Sequence, residues 1–258
     1  MAAALARGAL TLGDVRKWLA LSSRPLVSRL AARFPALRDR ILGNPRFLMV
    51  LAIEEAIGCS ARMAGEVSGR GERFWEESAL VASDMSLEIL GDFAIVWLLS
   101  PAANFAPRAD SAFARALASL PAHALQVGAF TLPQRLGAVA LRGAQFFAVG
   151  AGAAAVGHSI TLAARGARAR AAAARGERPR PGAAAPAPVL DTAMAWGWFM
   201  GLSSNARYQA VAGVEERALG ALPLPAPARA VATFLLRFSN TYVGTMNWMW
   251  WARKVGVQ

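Results

Sequence analysis

Three carboxylates recur at four-residue spacing where a long apolar run begins, in SDMSLEILGD. On an α-helix, Asp84, Glu88 and Asp92 lie one turn apart and form a stripe about 12 Å long. Like charges so spaced repel each other, and an ionised side chain at bilayer depth costs on the order of 3 kcal/mol. The stripe must therefore face protein or water.

Two interpretations of this stripe are open. In the functional one, the acids line a partly hydrated path or binding site that attracts cations between helices. In the structural one, they neutralise arginines of other apolar segments. The arginines available for this are Arg142, Arg207 and Arg237.

The run SSNARYQ, residues 203–209, places hydroxyls, amides, a cation and a phenol inside another apolar segment. A helix this polar is either unwound around a ligand or packed against polar neighbours. The candidate binding residues in this run are Asn205, Arg207, Tyr208 and Gln209.

The last apolar segment carries Arg237, Asn240, Gly244 and Asn247 at helical spacing. These residues share one face, and the glycine permits close approach of a neighbouring helix. Hydrogen bonds between helices would explain the face without a ligand. With the acidic pair at positions 54 and 55, however, the segments outline a polar interior, which indicates transport or binding.

Motifs for phosphate binding, metal binding or catalysis are absent from the sequence. GAGAAAVG at 150–157 has neither the spacing nor the lysine of a phosphate loop, and it predicts a small-residue packing face. Cys59 is the only cysteine, so an intrachain disulfide and a cysteine-based metal site are excluded. His123 and His158 stand alone and are interpreted as structural. No nucleophile, metal or cofactor motif is present, and we predict neither an enzyme nor a cofactor.

Composition places these residues in a membrane protein. Hydrophobic residues make up 55% of the 258 residues, charged residues only 17%, and the mean hydropathy is +0.35. The net charge of +12 would suggest nucleic acid on a soluble protein. Here the basic residues fall between apolar stretches, as at the ends of membrane spans facing anionic lipid, so lipid and not nucleic acid is the expected partner.

The predicted fold is all-α: a multi-pass helical membrane protein with about four transmembrane helices plus amphipathic or re-entrant helices. The four spans are 80–101, 136–163, 189–212 and 228–251. Residues 47–65 and 111–132 are the amphipathic or re-entrant segments, the second broken at Pro121. Four spans place the basic N-terminal region, the linker and the tail on one side, as the positive-inside rule favours.

Residues 1–46 are predicted to form a basic amphipathic region, followed by a helical membrane domain over 47–258. Short helices broken at Pro25 and Pro35 would lie on a membrane surface, or present a solvated basic face. The start, MAAALARGAL, is similar to the end of a transit peptide. The Arg-, Ala- and Pro-rich stretch 165–188 is expected to be a disordered loop.

The sequence resembles the RETICULATA-related proteins of plants and algae. The resemblance rests on NPRFL, FWEE, SDMSLEILGDFAIVWLLSP, SSNARYQ, RFSN followed by YVG, and WARKVGVQ. It runs from about residue 28 to the C-terminus, whereas Glu88 and the linker stand apart from the family pattern. It implies a multi-pass chloroplast envelope protein linked to leaf development and to movement of amino acids, basic ones in particular.

The composition, the polar residues within the apolar segments and the family resemblance together predict a plastid envelope carrier for basic amino acids. The acidic stripe would attract the cationic end of the substrate, and a bidentate arginine contact would hold its α-carboxylate. The alternative is a non-transporting membrane scaffold or developmental factor with a structural polar interior. A homo-oligomer is compatible with either. The predicted pathway residues are Asp84, Glu88, Asp92, Asn205, Arg207, Tyr208, Gln209, Arg237, Asn240, Glu54 and Glu55.

Overall fold

The computed structural model describes residues 16, 19, 23, 25–103, 111–176 and 187–257. Within these ranges the ordered elements are helical and no strand occurs, which confirms the all-α prediction. The α-helices are α1 Pro25–Arg33, α2 Pro35–Gly43, α3 Phe47–Arg70, α4 Ser78–Leu99, α5 Ala112–Ala118, α6 Leu132–Ala174, α7 Val189–Phe199, α8 Asn205–Val214 and α9 Ala226–Lys254. A 3₁₀ turn covers Gly71–Phe74, and π-helical segments cover Met200–Ser204 and Glu215–Leu219.

Helices α3 and α4 form an antiparallel hairpin that brings two acidic segments face to face. Gly71, with φ of 55°, ends α3 in a conformation that few other residues adopt. The hairpin closes so tightly that a Cβ on Gly58 would lie 1.9 Å from Oδ2 of Asp92. The predicted segment 47–65 is therefore part of one uninterrupted helix that supports the carboxylate stripe of α4.

Helix α6 is the longest element, and its 43 residues extend about 65 Å. It begins at a capping box in which the Thr131 side chain and Gln134 satisfy each other's backbone amides. Small residues let α7 pack closely against it: Gly150 faces Trp196 and Met200. This contact confirms the packing role predicted for GAGAAAVG.

The core lies where α4, α6, α7 and α8 meet. Its buried members are Ile95, Leu99, Phe146, Phe199, Met200 and Tyr208. Trp248 of α9 packs edge-on against Trp196, with ring centroids 4.5 Å apart. The core thus joins the helices that carry the polar constellations, so those side chains are held by rigid elements.

Among the helices of the described ranges, α6 is the one that is long and apolar enough to cross a membrane by length and composition. The other three predicted spans are helical, and their crossing of a membrane stays a prediction. Helix α9 nevertheless exposes a row of large apolar side chains along one side. These are Phe234, Phe238, Tyr242, Met246 and Trp250.

Two helix boundaries differ from those expected from the sequence. Helix α6 continues to Ala174, so the first ten residues of the predicted loop 165–188 are helical. Alanine and arginine are strong helix formers, and this preference extends the helix past the apolar stretch. Residues 177–186 and most of residues 1–24, with the transit-like start, lie outside the described residues. Helix α5 ends at Ala118, ahead of the predicted break at Pro121.

Candidate functional site

A cavity of about 580 Å³ lies between the hairpin α3–α4 and the helices α6 to α9. Its wall includes six of the predicted pathway residues and two tryptophans. The predicted residues on the wall are Glu54, Asp84, Glu88, Asp92, Arg207 and Tyr208. The cavity has the size and mixed lining of a small-molecule site, with apolar rings and a few charged groups.

Asp84 forms ion pairs with two arginines of α3. Its Oδ2 lies 3.0 Å from Nη2 of Arg70 and 3.3 Å from Nη2 of Arg62. Arg70 also pairs with Glu66 and Glu77, so this end of the hairpin is an ion-pair cluster. The structural interpretation therefore fits Asp84, although its partners come from α3 and none is among the arginines expected from the sequence.

Asp92 and Glu88 have no such partners. Within the described part of the chain, neither carboxylate makes a hydrogen bond or an ion pair, and Oδ2 of Asp92 is buried without a partner. Glu55 on α3 also has a buried oxygen, Oε2, without a partner. A buried acid with no partner is costly, so these carboxylates are poised to receive a cation or a proton.

Arg207 supplies positive charge to the wall of the same cavity. Its Nη1 donates to the carbonyl oxygen and Oδ1 of Asn240, at 3.0 and 2.9 Å, and its Nη2 donates to Oγ of Ser204 at 3.0 Å. A Cβ on Gly244 would lie 2.6 Å from Nη1, so this glycine makes room for the guanidinium. No carboxylate neutralises Arg207 within the described ranges, and its Nε is buried without a partner.

A buried ion-pair network closes one side of the cavity. Arg237 donates to both carboxylate oxygens of Glu215, at 2.6 and 2.9 Å, and to Oε2 of Glu54 at 2.6 Å. The hydroxyl of Tyr208 donates to the other oxygen of Glu54. The exposed fraction of the Arg237 side chain is only 5%, so one cation joins two acids away from water.

The amides of the SSNARYQ run have structural roles. Asn205 Nδ2 donates to the carbonyl of Val139 on α6 at 3.0 Å, and Oε1 of Gln209 accepts from the backbone amide of Ala124 at 2.6 Å. Neither amide lines the cavity. Of the two alternatives for this run, its amides pack against polar neighbours, and its first two residues, Ser203 and Ser204, belong to the π-helical segment Met200–Ser204.

His123 lies in the loop before α6, close to Glu216. Its Nε2 is 3.0 Å from Oε2 of Glu216, but that oxygen makes no hydrogen bond and the His123 Nδ1 has no partner. Burial, followed by Arg217, Arg142 and Arg135, lowers the pKa of His123 to about 4. The imidazole is therefore neutral at physiological pH.

This shift predicts a pH dependence of stability. Below about pH 6.5 the unfolded chain takes up a proton on His123 that the folded chain refuses until about pH 4. The free energy of unfolding is expected to fall by at most about 3 kcal/mol across that window as the pH drops. Chemical unfolding of the His123→Gln variant and the parent at pH 7 and pH 5 checks this. The prediction is wrong if both chains lose the same stability.

Three functional residues were missed by the sequence reasoning. Arg62 and Arg70 hold Asp84, and Glu215 holds Arg237. The four-residue spacing of Arg62, Glu66 and Arg70 was a readable signal of a charged helix face. Nothing local distinguished Glu215 from Glu216 beside it. Within the described ranges, no group of three or more His, Cys, Asp or Glu side chains is placed to hold a metal ion.

The arrangement suits a ligand with two charges. Glu88 and Asp92 offer carboxyl groups on α4 that make no ion pair among the described residues, and Arg207 offers a guanidinium on α8, all on the wall of one cavity. An ammonium or guanidinium group matches the first pair, and a carboxylate matches the arginine. Trp196 and Trp248 supply apolar surface for the part between.

Comparison with known proteins places this chain among plant relatives. The family model described as RETICULATA-like, Protein RETICULATA-related, matches residues 39–214. This match includes the hairpin and the SSNARYQ run and ends before α9. Protein RETICULATA-RELATED 4, chloroplastic, from Arabidopsis thaliana is 33% identical over 100% of this chain and 68% of the relative.

Two further relatives from Arabidopsis thaliana are longer than the matched region. Protein RETICULATA-RELATED 5, chloroplastic, is 34% identical over 92% of this chain, and Protein RETICULATA-RELATED 1, chloroplastic, is 34% identical over 86%. The match spans 34% of the first and 53% of the second. No solved structure matches the chain.

Proposed function

Because this chain belongs to the RETICULATA-related family, we propose that it is a chloroplast envelope membrane carrier whose substrates are basic amino acids. The chloroplast location is supported by the printed names of the relatives, which are chloroplastic proteins. Transport and the choice of substrate are the proposal, and they rest on the cavity and its charges.

The observation that carries the proposal is the pair of unneutralised acids on the cavity wall. Asp92 and Glu88 make no hydrogen bond or ion pair among the described residues, whereas Asp84, on the same face, is held by two arginines. Purely structural acids would be expected to be paired like Asp84. Acids left open in a cavity favour a cationic ligand that arrives from outside.

The opposite charge supports an amino acid over a simple cation. Arg207 reaches the same cavity wall and is held by amide, carbonyl and hydroxyl oxygens, which leave its charge uncompensated. A lysine or arginine substrate would place its side-chain cation at Asp92 and its α-carboxylate at Arg207.

Membrane insertion is supported by the outer surface. Helix α9 exposes large apolar side chains such as Phe238, 52% exposed, and Met246, 54% exposed, over about four turns from Phe234 to Trp250. Helix α6 passes the length and composition test for a span, and at about 65 Å it exceeds a hydrocarbon core of about 30 Å. Arg165 and Arg170 lie at its far end, where they would meet anionic lipid.

Uptake into proteoliposomes tests the proposal. We expect labelled lysine and arginine to enter vesicles that hold the protein, and labelled leucine and glutamate to enter no faster than into protein-free vesicles. Leucine lacks the side-chain cation that Asp92 would bind, and glutamate carries the opposite charge. Equal entry of all four, or of none, contradicts the proposal.

A second candidate is a non-transporting membrane scaffold. It is favoured by the Arg237 network and the Asp84 cluster, which join α3, α4, α9 and the segment after α8 without any ligand. A scaffold predicts that basic amino acids leave the thermal midpoint unchanged. A carrier predicts a rise in the midpoint with lysine concentration, because a ligand that binds only the folded state stabilises it.

A glycine on α3 gives a sharper test of the acid pair. Replacing Gly58 with alanine would place a methyl 1.9 Å from Oδ2 of Asp92, so the carboxylate must move away from α3. We expect the Gly58→Ala variant to bind lysine more weakly. We also expect it to lack the stability gain of roughly 1 kcal/mol that alanine normally gives over glycine in a helix interior.

Gly65→Ala is the matched control on the same helix. Nothing lies within 4 Å of a Cβ at Gly65, so this variant is expected to gain stability and to bind lysine normally. Thermal unfolding with and without lysine measures both effects. Identical behaviour of the two variants would show that the position of Asp92 is unimportant.

A further inference from the structure

A second cavity of about 170 Å³ lies beyond the buried network that closes the first. Tyr208 lines both cavities, Glu54 lines the larger one, and Arg237 and Glu215 line the smaller one. The hydrogen-bonded chain from Tyr208 through Glu54 and Arg237 to Glu215 is therefore a partition one layer of side chains thick.

The smaller cavity contains polar groups that the fold leaves without partners. His123 is 2% exposed and lines this cavity, and its Nδ1 makes no hydrogen bond. Oε2 of Glu216, on the same wall, makes no hydrogen bond, and it lies 3.0 Å from Nε2 of His123. Such groups in a native structure call for an explanation, and a ligand is one.

The charges of the smaller cavity repeat the pattern of the larger one. Arg237 is neutralised by Glu215 and Glu54, which leaves Glu216 and Arg46 as the charged side chains of the wall that no other charge satisfies. Arg46 donates through Nη1 to the backbone carbonyl of Glu215 at 2.6 Å, and among the described residues no carboxylate forms an ion pair with it. An acid and a base on one wall match a molecule with an ammonium group and a carboxylate.

We infer that the smaller cavity is a second binding station for the same basic amino acid, and that the Tyr208–Glu54–Arg237–Glu215 partition is the closed gate between the two stations. This inference rests on the proposed function. The π-helical segments Met200–Ser204 and Glu215–Leu219 flank α8, which carries Tyr208. Because π-helical segments often lie at functional sites, we assign α8 as the element that would shift to open the partition.

Protection of introduced cysteines from modification tests the second station. The variants Ala153→Cys in the larger cavity and Ala212→Cys in the smaller one are each made in a Cys59→Ala chain, so that one thiol is present. L-lysine at about ten times its Kd is expected to slow modification by an aminoethyl methanethiosulfonate reagent about tenfold at both positions. Glu216→Gln should abolish protection at position 212 and keep it at 153.

The outcomes separate this inference from the proposed function. Protection at 153 with none at 212 overturns the second station and keeps the carrier. Protection at neither position overturns both. Glu72→Gln is the matched control, because Glu72 is an exposed acid outside both cavities and its change should leave both protections intact. Equal loss of protection at 212 in both variants would also overturn the second station.

Discussion

Replacing Asp92 with asparagine is expected to reduce lysine uptake by roughly 30-fold or more. Asparagine keeps the size of the side chain and removes the charge that would face the substrate cation. Loss of one partner from a desolvated charge pair costs about 2 kcal/mol or more, which corresponds to that factor. Initial uptake rates in proteoliposomes, at equal amounts of inserted protein, measure the effect.

Asp84→Asn is the control, since it makes the same chemical change about two turns earlier on the same face of α4. Asp84 is held by Arg62 and Arg70, so its loss should lower stability and leave lysine affinity nearly unchanged. The two variants separate a binding acid from a structural acid on the same helix. Normal uptake by Asp92→Asn would remove the acidic stripe from the mechanism and favour the scaffold.

The largest effect on stability is expected from Arg237→Gln. The change leaves Glu54 and Glu215 buried without their cation, and breaking a buried ion pair in this way costs about 3–5 kcal/mol. For a chain of this size the thermal midpoint should fall by on the order of 10 °C. Thermal unfolding in detergent, followed by circular dichroism, measures it.

A compensated variant distinguishes charge from packing. When Glu54→Gln and Glu215→Gln accompany Arg237→Met, no charge remains in the network. The thermal midpoint of this triple variant should therefore recover most of the decrease caused by Arg237→Gln. The aliphatic stem of methionine fills part of the space of the arginine. If the triple variant is less stable than Arg237→Gln, hydrogen-bond geometry rather than charge holds this region together.

The compensated variant also bears on function. A scaffold needs only a folded interior, so it should keep its activity in the plant when the network is neutral. A carrier with a gate at this position should fold, bind lysine in the larger cavity through Asp92, and transport it poorly. The compensated variant should therefore fold in both cases, and it should lose activity only if the protein is a carrier.

Much of the local structure followed from periodicity. The four-residue spacing of Asp84, Glu88 and Asp92 correctly placed them along one helix, because side-chain direction repeats with the helical turn. The shared face of Arg237, Asn240, Gly244 and Asn247 is confirmed by their contacts with α3, α8 and the π segment before it. Such predictions depend on neighbours within a few residues.

The contact partners of these side chains could not be predicted from the sequence. The sequence offered Arg142, Arg207 and Arg237 as partners for the stripe, yet Arg142 donates to the carbonyl of Ala122 and to Gln145. Arg237 instead meets Glu54, which is 183 positions away in the chain. Contacts of this range depend on which helices pack together, and composition does not encode that.

The sequence by itself determined the helical class, the placement of Asp84, Glu88 and Asp92 along one helix and the membership of the RETICULATA-related family, because these depend on short spacings and residue types. Only the tertiary structure decided which acids are satisfied. Asp84 reaches two arginines at the closed end of the α3–α4 hairpin, whereas Asp92 lies against Gly58 and beside a cavity. The same carboxylate side chain about two turns apart acquires different roles because the neighbouring helix presents cations to one and leaves the other beside a cavity.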